Sequence, residues 1–265
     1  MKQANIFTNL YNLSDEIRQV VEKEFLSHDF KISYEHDEEA NFNVVIGGDG
    51  TFIKAVHESN FSNVPFIGIN TGKLGFYNDI KPDDVESAIE RLKDKKYILN
   101  ELKVIECHIE TKNGDFIYKS INEIVIKSRS TSIIKFDLFV DDMKLQKFAG
   151  DGMIFSTPSG STAYNLSSGG AIVYQNIDAF QITPLAPIKS SIYKSLDKSV
   201  VVPKNTKIKL VTEDLNDDEF LIGIDGLECN HTDIKSINIQ LSKDSINKIV
   251  FDEKWFWKNI RDKFI

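Results

Sequence analysis

The hydrophobic rhythm of the chain changes once, near residue 100, and this limits the fold more than any other feature. Before that point strand-like and helix-like periods alternate. "ANIFTN" at 4–9, "FNVVIG" at 42–47 and "PFIGIN" at 65–70 are short β-branched or aromatic runs of the kind buried inside a parallel sheet. Between them Ile17, Val20, Val21 and Phe25 fall on one helical face behind a possible cap at Ser14, and a helix is expected from Thr51 to Ser59. Pro82 suits the first turn of a further helix carrying Val85, Ala88, Ile89 and Leu92 at helical spacing. From about 100 to 250 the period is two instead. Ile105, Cys107 and Ile109 share a side, as do Phe136, Leu138 and Val140, and "SVVVP", "FLIGID" and "INIQL" add strands separated by turns such as Asn113-Gly114 and Asp141-Asp142. Only 160–168 and the region around 186–195 look non-strand over any length.

The expected fold is therefore an α/β N-terminal domain with a mostly parallel sheet (residues 1–100), followed by a β-rich C-terminal domain (101–250). The aromatic tail "FDEKWFWKNIRDKFI" (251–265) is costly to leave in water and is expected to form a terminal helix packed back on the first domain.

Bulk properties exclude several function classes. A net charge of −8 over 265 residues leaves no basic excess for displacing phosphate counterions, so nucleic acid is not an expected partner. Any anionic substrate must be held by local devices. Two cysteines, Cys107 and Cys229, give neither a disulfide framework nor a zinc pattern. No apolar run approaches a signal-peptide core or a membrane span, and a cytoplasmic protein without membrane partners is expected.

The stretch "VVIGGDGTF" at 44–52 carries the first chemical signal. An Asp-Gly pair between apolar runs can be a plain hairpin turn. Two further glycines and a helix-like sequel favour strand, glycine turn, helix, which points main-chain N–H groups at a phosphate. Position 53 is Ile, so the Rossmann spacing fails. "GINTGK" at 68–73 lacks the Walker spacing and is followed by Leu74. A carboxylate at Asp49 repels a phosphate unless a metal ion intervenes or the carboxylate receives a proton, and phosphoryl transfer to an alcohol asks for both. A local turn hydrogen bond from Asp49 is the plain alternative.

Four ordered blocks then carry a family resemblance: "GGDGT" at 47–51, "NTGKLGF" at 70–76, "NE" at 122–123 and "GDGMIFSTPSGSTAYNLSSGGA" at 150–171. The first is shared with diacylglycerol and sphingosine kinases. Together the four resemble the NAD kinases, whose architecture, an α/β domain followed by a β-rich domain, is similar to the one expected here. The resemblance implies phosphorylation of the adenosine ribose 2′-hydroxyl of NAD, giving NADP. ATP or inorganic polyphosphate is the implied donor, with a divalent metal ion (Mg2+ or Mn2+), and the implied assembly is a homodimer or homotetramer.

The same resemblance implies roles residue by residue. Asp49 corresponds to the acceptor of the hydroxyl proton, and Gly47, Gly48, Gly50 and Thr51 to the donor-phosphate loop. Asp49, Gly50, Phe76, Asn122, Glu123, Asp151, Thr162, Ala163, Tyr164, Ser167, Ala186 and Asp225 correspond to the NAD site. Read by themselves, Asn122 and Glu123 interrupt an apolar run with groups able to bond sugar hydroxyls, although a turn or a solvated edge explains them as well. Phe76 offers an apolar wall to an adenine, although a lone Phe is more often core; the resemblance makes Tyr164 a candidate to stack near the nicotinamide end. Two departures stand out: Phe148-Ala149 where many relatives have an arginine, and Lys73 where relatives often carry His. A lipid kinase sharing only the glycine loop, and a non-catalytic NAD- or NADP-sensing module, are the competing readings.

Overall fold

The computed structural model describes residues 2–8, 12–72, 75–189, 195–212 and 220–265, with backbone alone for 12–14. Lys73 lies outside the described residues, as do residues 190–194 of the second expected non-strand region, and the expected cap at Ser14 is corrected: the helix begins at Asn12, so Ser14 is already within it. The chain divides into two compact units, Met1–Leu102 with Ser245–Ile265, and Lys103–Asp244.

The first unit contains β1 (Lys2–Thr8), α1 (Asn12–Ser27), β2 (Phe30–Ser33), β3 (Phe42–Gly47), α2 (Asp49–Glu58), β4 (Phe66–Asn70) and α3 (Val85–Lys93). Its strands pair in the order β2-β1-β3-β4, all parallel. Every residue of β3 and β4 is buried, which accounts for their mostly apolar composition. Two polar residues inside this sheet satisfy one another: Asn5 Nδ2 donates to Asn43 Oδ1 at 2.8 Å, and Asn43 Nδ2 to Val64 O at 3.2 Å. Val85, Ala88, Ile89 and Leu92 of α3 are buried at the expected spacing, with Pro82–Asp84 forming a 3-10 turn ahead of them.

The second unit contains β5 (Ile98–Thr111, entering it at Lys103), β6 (Asp115–Ser120), β7 (Glu123–Ser128), β8 (Ile134–Val140), β9 (Met143–Gly150), β10 (Gly152–Ser156) and the one-turn helix α4 (Tyr164–Ser167). It continues with β11 (Ala179–Leu185), β12 (Val200–Pro203), β13 (Ile208–Val211), β14 (Phe220–Ile224), β15 (Leu227–Cys229) and β16 (Ile234–Val250), whose last residues belong to the first unit. An antiparallel sheet runs β12-β11-β10-β7-β14-β15. Its apolar face joins Phe136, Leu138, Phe148, Ile208 and Ile237 in one core. The Asp141-Asp142 turn has φ of 48° and 66°, the double left-handed conformation that suits the twist of a tight hairpin. Residues 171–178 are also non-strand, an irregular stretch that period-two reading did not single out.

The expected arginine position is explained here. Phe148 and Ala149 are fully buried, and Phe148 stacks on Phe136 with centroids 4.8 Å apart. A guanidinium in that core would lack a charge partner among these apolar neighbours.

The tail forms α5 (Trp255–Phe264), in the first unit, with Trp255 and Phe256 buried. Beneath it lies the end of β16, where Lys248 is fully buried. Its ammonium reaches Asp79 Oδ2 at 3.1 Å and Phe76 O at 3.1 Å, and lies 4.0 Å from the Trp255 ring centre. Burial pushes the Lys248 ammonium down and the Asp79 carboxyl up, and the pair opposes both shifts. Lys248→Met should lower the unfolding free energy by about 2–4 kcal/mol, because it leaves the largely covered Asp79 carboxylate without its cation. Adding Asp79→Asn should recover most of the loss, as read by urea denaturation.

Candidate active site

The glycine turn is tighter than expected. The helix α2 begins at Asp49 itself, two residues before Thr51, with Gly48 as its extended N-terminal cap. Asp49 is thus the first helical residue and not a loop residue. The N–H groups of Thr51 and Phe52 both bond Gly48 O, at 2.9 and 3.2 Å. A side chain at Gly47 would collide with Thr51 Oγ1 at 2.3 Å, whereas Gly48 and Gly50 face open space. Two bare main-chain surfaces therefore stand at the amino end of a ten-residue helix, where the helix dipole favours negative charge.

The Asp49 carboxylate points to the segment 75–78. Oδ2 accepts the Phe76 N–H at 2.9 Å, and Oδ1 accepts those of Tyr77 at 2.9 Å and Asn78 at 3.4 Å. Lys263 Nζ, from α5, donates to Oδ2 at 3.2 Å. The Asn78 side chain closes the arrangement by donating to Gly48 O at 2.9 Å. Gly75 makes the approach possible, since a Cβ there would stand 2.0 Å from Asp49 Oδ1. Phe52 stacks on Tyr77 at 4.8 Å and ties the helix to the same loop. Phe76 is only 4% exposed, and its ring is covered by Lys263 and Phe264. Its side chain is thus engaged within the unit, while its main chain orients Asp49.

In the second unit Asn122 and Glu123 are both buried, so the solvated-edge reading is set aside. Asp225 sits with Gly226 at the β14–β15 hairpin turn, at φ of 48° and 84°. Its carboxylate accepts Ser120 Oγ at 2.6 Å and the N–H groups of Ile121, Asn122 and Glu123 at 3.0, 2.8 and 3.4 Å. Asp225 therefore shapes the Asn122-Glu123 turn. On the other side Thr157 Oγ1 donates to Ile121 O at 2.5 Å and Thr157 N to Asn122 O at 2.9 Å. Gly160 passes so close that a Cβ would lie 2.1 Å from Asn122 O. The held turn leaves Glu123 Oε2 buried with no hydrogen-bond partner among the described residues. Burial first, and the neighbouring Asp225 second, push the Glu123 carboxyl up to about 8.

Asp151, Tyr164 and Ala186 come together with Lys127, Ser128 and Leu185 around a cleft of about 640 Å3. Tyr164 is 42% exposed, and Ala186 has φ of 40°, a strained conformation for a residue with a Cβ. Thr162, Ala163 and Ser167 lie on the short helical segment around Tyr164. Among the described residues no group of three His, Cys, Asp or Glu side chains stands together to cage a metal ion.

Sequence reading missed Lys263, Gly75, Asn78, Thr157 and Gly160 as site-building residues. Gly75, Thr157 and Gly160 lie inside the quoted blocks, where their backbone duties are not visible. Lys263 is 214 positions from Asp49, and nothing in the tail's pattern distinguishes it from a solvated lysine.

Two outcomes follow from this geometry. Gly75→Ala should expel the Asp49 carboxylate from the main-chain N–H groups of Phe76, Tyr77 and Asn78 and lower the unfolding free energy by about 1–3 kcal/mol, as read by urea denaturation. For Glu123 the folded-state value lies above the unfolded one, so its neutral form favours folding. That contribution is full below about pH 4.5 and is lost as the pH rises toward 8. Glu123→Gln, neutral throughout, should gain at least ~1 kcal/mol on the parent between pH 4.5 and pH 8 in urea denaturation.

Comparison with known proteins agrees with the motifs. Residues 8–97 match the ATP-NAD kinase N-terminal domain and residues 121–250 the ATP-NAD kinase C-terminal domain. The NAD kinase of Finegoldia magna is 41% identical over 268 residues, spanning all of this chain and 98% of that protein. NAD kinase 1 of Listeria monocytogenes is 34% identical over 233 residues, 86% of this chain and 87% of that protein. Among solved structures, yeast NADH kinase complexed with NADH superposes with a TM-score of 0.84 at 20% identity, covering 99% of this chain and 87% of that one. An NAD kinase from Archaeoglobus fulgidus in complex with ATP gives 0.78 at 23% identity, covering 99% and 98%. At those identities the two structures speak for the fold alone. The domain matches and the full-length relative go further: the chain belongs to the NAD kinase family.

Proposed function

We propose that this chain transfers a phosphoryl group from ATP to the 2′-hydroxyl of the adenosine ribose of NAD, producing NADP, with Asp49 receiving the hydroxyl proton. The observation that carries the reading is the Asp49 carboxylate, held by three main-chain N–H groups beside the bare backbone of Gly48 and Gly50. Membership of the NAD kinase family supplies the substrate pair, and an archaeal family member of the same fold was solved with ATP.

Each group then has a defined task. The helix amino end and the glycines at 48 and 50 favour the donor's negative charge. A divalent ion riding on the donor phosphates, when bound, neutralises that charge. Asn122 and Glu123 hold ribose hydroxyls; a buried carboxyl kept neutral near pH 7 can donate a hydrogen bond as well as accept one. Asp151, Tyr164 and Ala186 frame a cleft wide enough for a ring and its amide. Asp49 accepts the 2′-hydroxyl proton as the oxygen attacks the γ-phosphorus, and ADP leaves.

The assay that tests this incubates the protein with NAD, ATP and Mg2+ and follows NADP. Polyphosphate and NADH serve as alternative donor and acceptor, and a diacylglycerol as a lipid acceptor. Asp49→Asn should lower turnover about 10^2- to 10^4-fold while calorimetry still detects NAD binding. A fully active Asp49→Asn protein would remove Asp49 from the reaction. Tight NAD binding without transfer from any donor would instead favour a sensing module.

A further inference from the structure

The Asp49 carboxylate has as many donors as it can take. Oδ2 accepts from Phe76 N at 2.9 Å and from Lys263 Nζ at 3.2 Å, and Oδ1 accepts from Tyr77 N at 2.9 Å and Asn78 N at 3.4 Å. A carboxylate offers about four lone-pair positions, so these donors fill it. Three of them are main-chain groups of one loop. That loop is anchored from beneath by buried Lys248, which donates to Phe76 O, and from the side by Asn78 Nδ2 on Gly48 O. They cannot withdraw without dismantling the loop. The fourth is a flexible side chain in the last turn of α5, with Lys263 and Asp49 only 27% and 30% exposed.

A base that takes a proton from a hydroxyl must first accept a hydrogen bond from it. We propose that Lys263 occupies the position on Asp49 Oδ2 that the acceptor hydroxyl takes, and that acceptor binding displaces the ammonium. The inference rests on reading Asp49 as the base. Three features support it. The carboxylate's direction is already set by the backbone, so Lys263 adds occupancy and not orientation. A partly exposed ion pair is weak, so a substrate hydroxyl can replace it. The ammonium also lies 4.5 Å over the Phe76 ring, which keeps a site for the cation once it has left the carboxylate. Lys263 thereby competes with the acceptor and sets its affinity.

The test compares Lys263→Met, Lys263→Ala and Lys263→Arg in the full chain, with thermal melting to confirm folding. Met and Ala should bind NAD about two- to fivefold more tightly in calorimetry and lower the KM for NAD by the same factor. Arg, which keeps a donor, should stay near the parental value. In the Asp49→Asn protein the effect of Lys263→Met on NAD affinity should vanish. Unchanged or weaker NAD affinity in both Met and Ala overturns the proposal, and so does an effect that persists in the double variant, where an amide has replaced the carboxylate. A fully active Asp49→Asn protein overturns the base assignment instead, and the affinity measurements tell the two failures apart.

Discussion

The first unit depends on one buried cation. Lys248, at the end of the last long strand, is itself fully buried and holds the carbonyl of Phe76 and the largely covered carboxylate of Asp79. That fixes the segment 76–79, and the segment in turn presents three N–H groups to Asp49. Buried ion pairs contribute little net stability, yet removing one partner is costly. Such a pair favours a single arrangement of the loop, and on the proposed reading of Asp49 as the base that arrangement sets the direction of its carboxylate.

The second unit uses a different device for the same purpose. Asp225 gathers four donors from residues 120–123, and Thr157 and Gly160 close on the same turn from the opposite side. The result is a buried carboxyl at Glu123 with one unpartnered oxygen. A folded chain tolerates such a group because burial, and after it Asp225, raises its pKa to about 8 and so favours the neutral form. In both units one acidic side chain is spent on shaping a loop or is itself shaped by one, and a glycine within each unit, Gly75 against Asp49 and Gly160 against Asn122, permits an approach that a Cβ would block.

Much of the architecture was legible because burial leaves a periodic trace. The mostly apolar runs of 42–47 and 66–70 are strands buried on both faces, and Val85, Ala88, Ile89 and Leu92 lie inward on their helix. The Asp141-Asp142 turn is where its residue types place it. Boundaries were less legible. The helix after the glycine turn starts at Asp49 because Gly48 serves as its cap, and a cap without a side chain leaves no mark in the sequence. The missing arginine at 148–149 gave no hint that the strand there faces a packed aromatic core.

The sequence by itself determined the class of chemistry. Asp49 among its glycines reads as a turn or a phosphate site, and the three further blocks in order carry the resemblance to the NAD kinases, because a motif is a local property of residue type and spacing. Only the tertiary structure decided what each acidic group does. Asp49 is oriented by a loop 27 to 29 residues away and covered by a lysine 214 residues away, and Asp225 serves the turn at 121–123 from more than a hundred residues on. Contacts at such separations have no period to read: they exist because folding brings distant main-chain donors to one carboxylate, where leaving either partner unpaired would cost free energy.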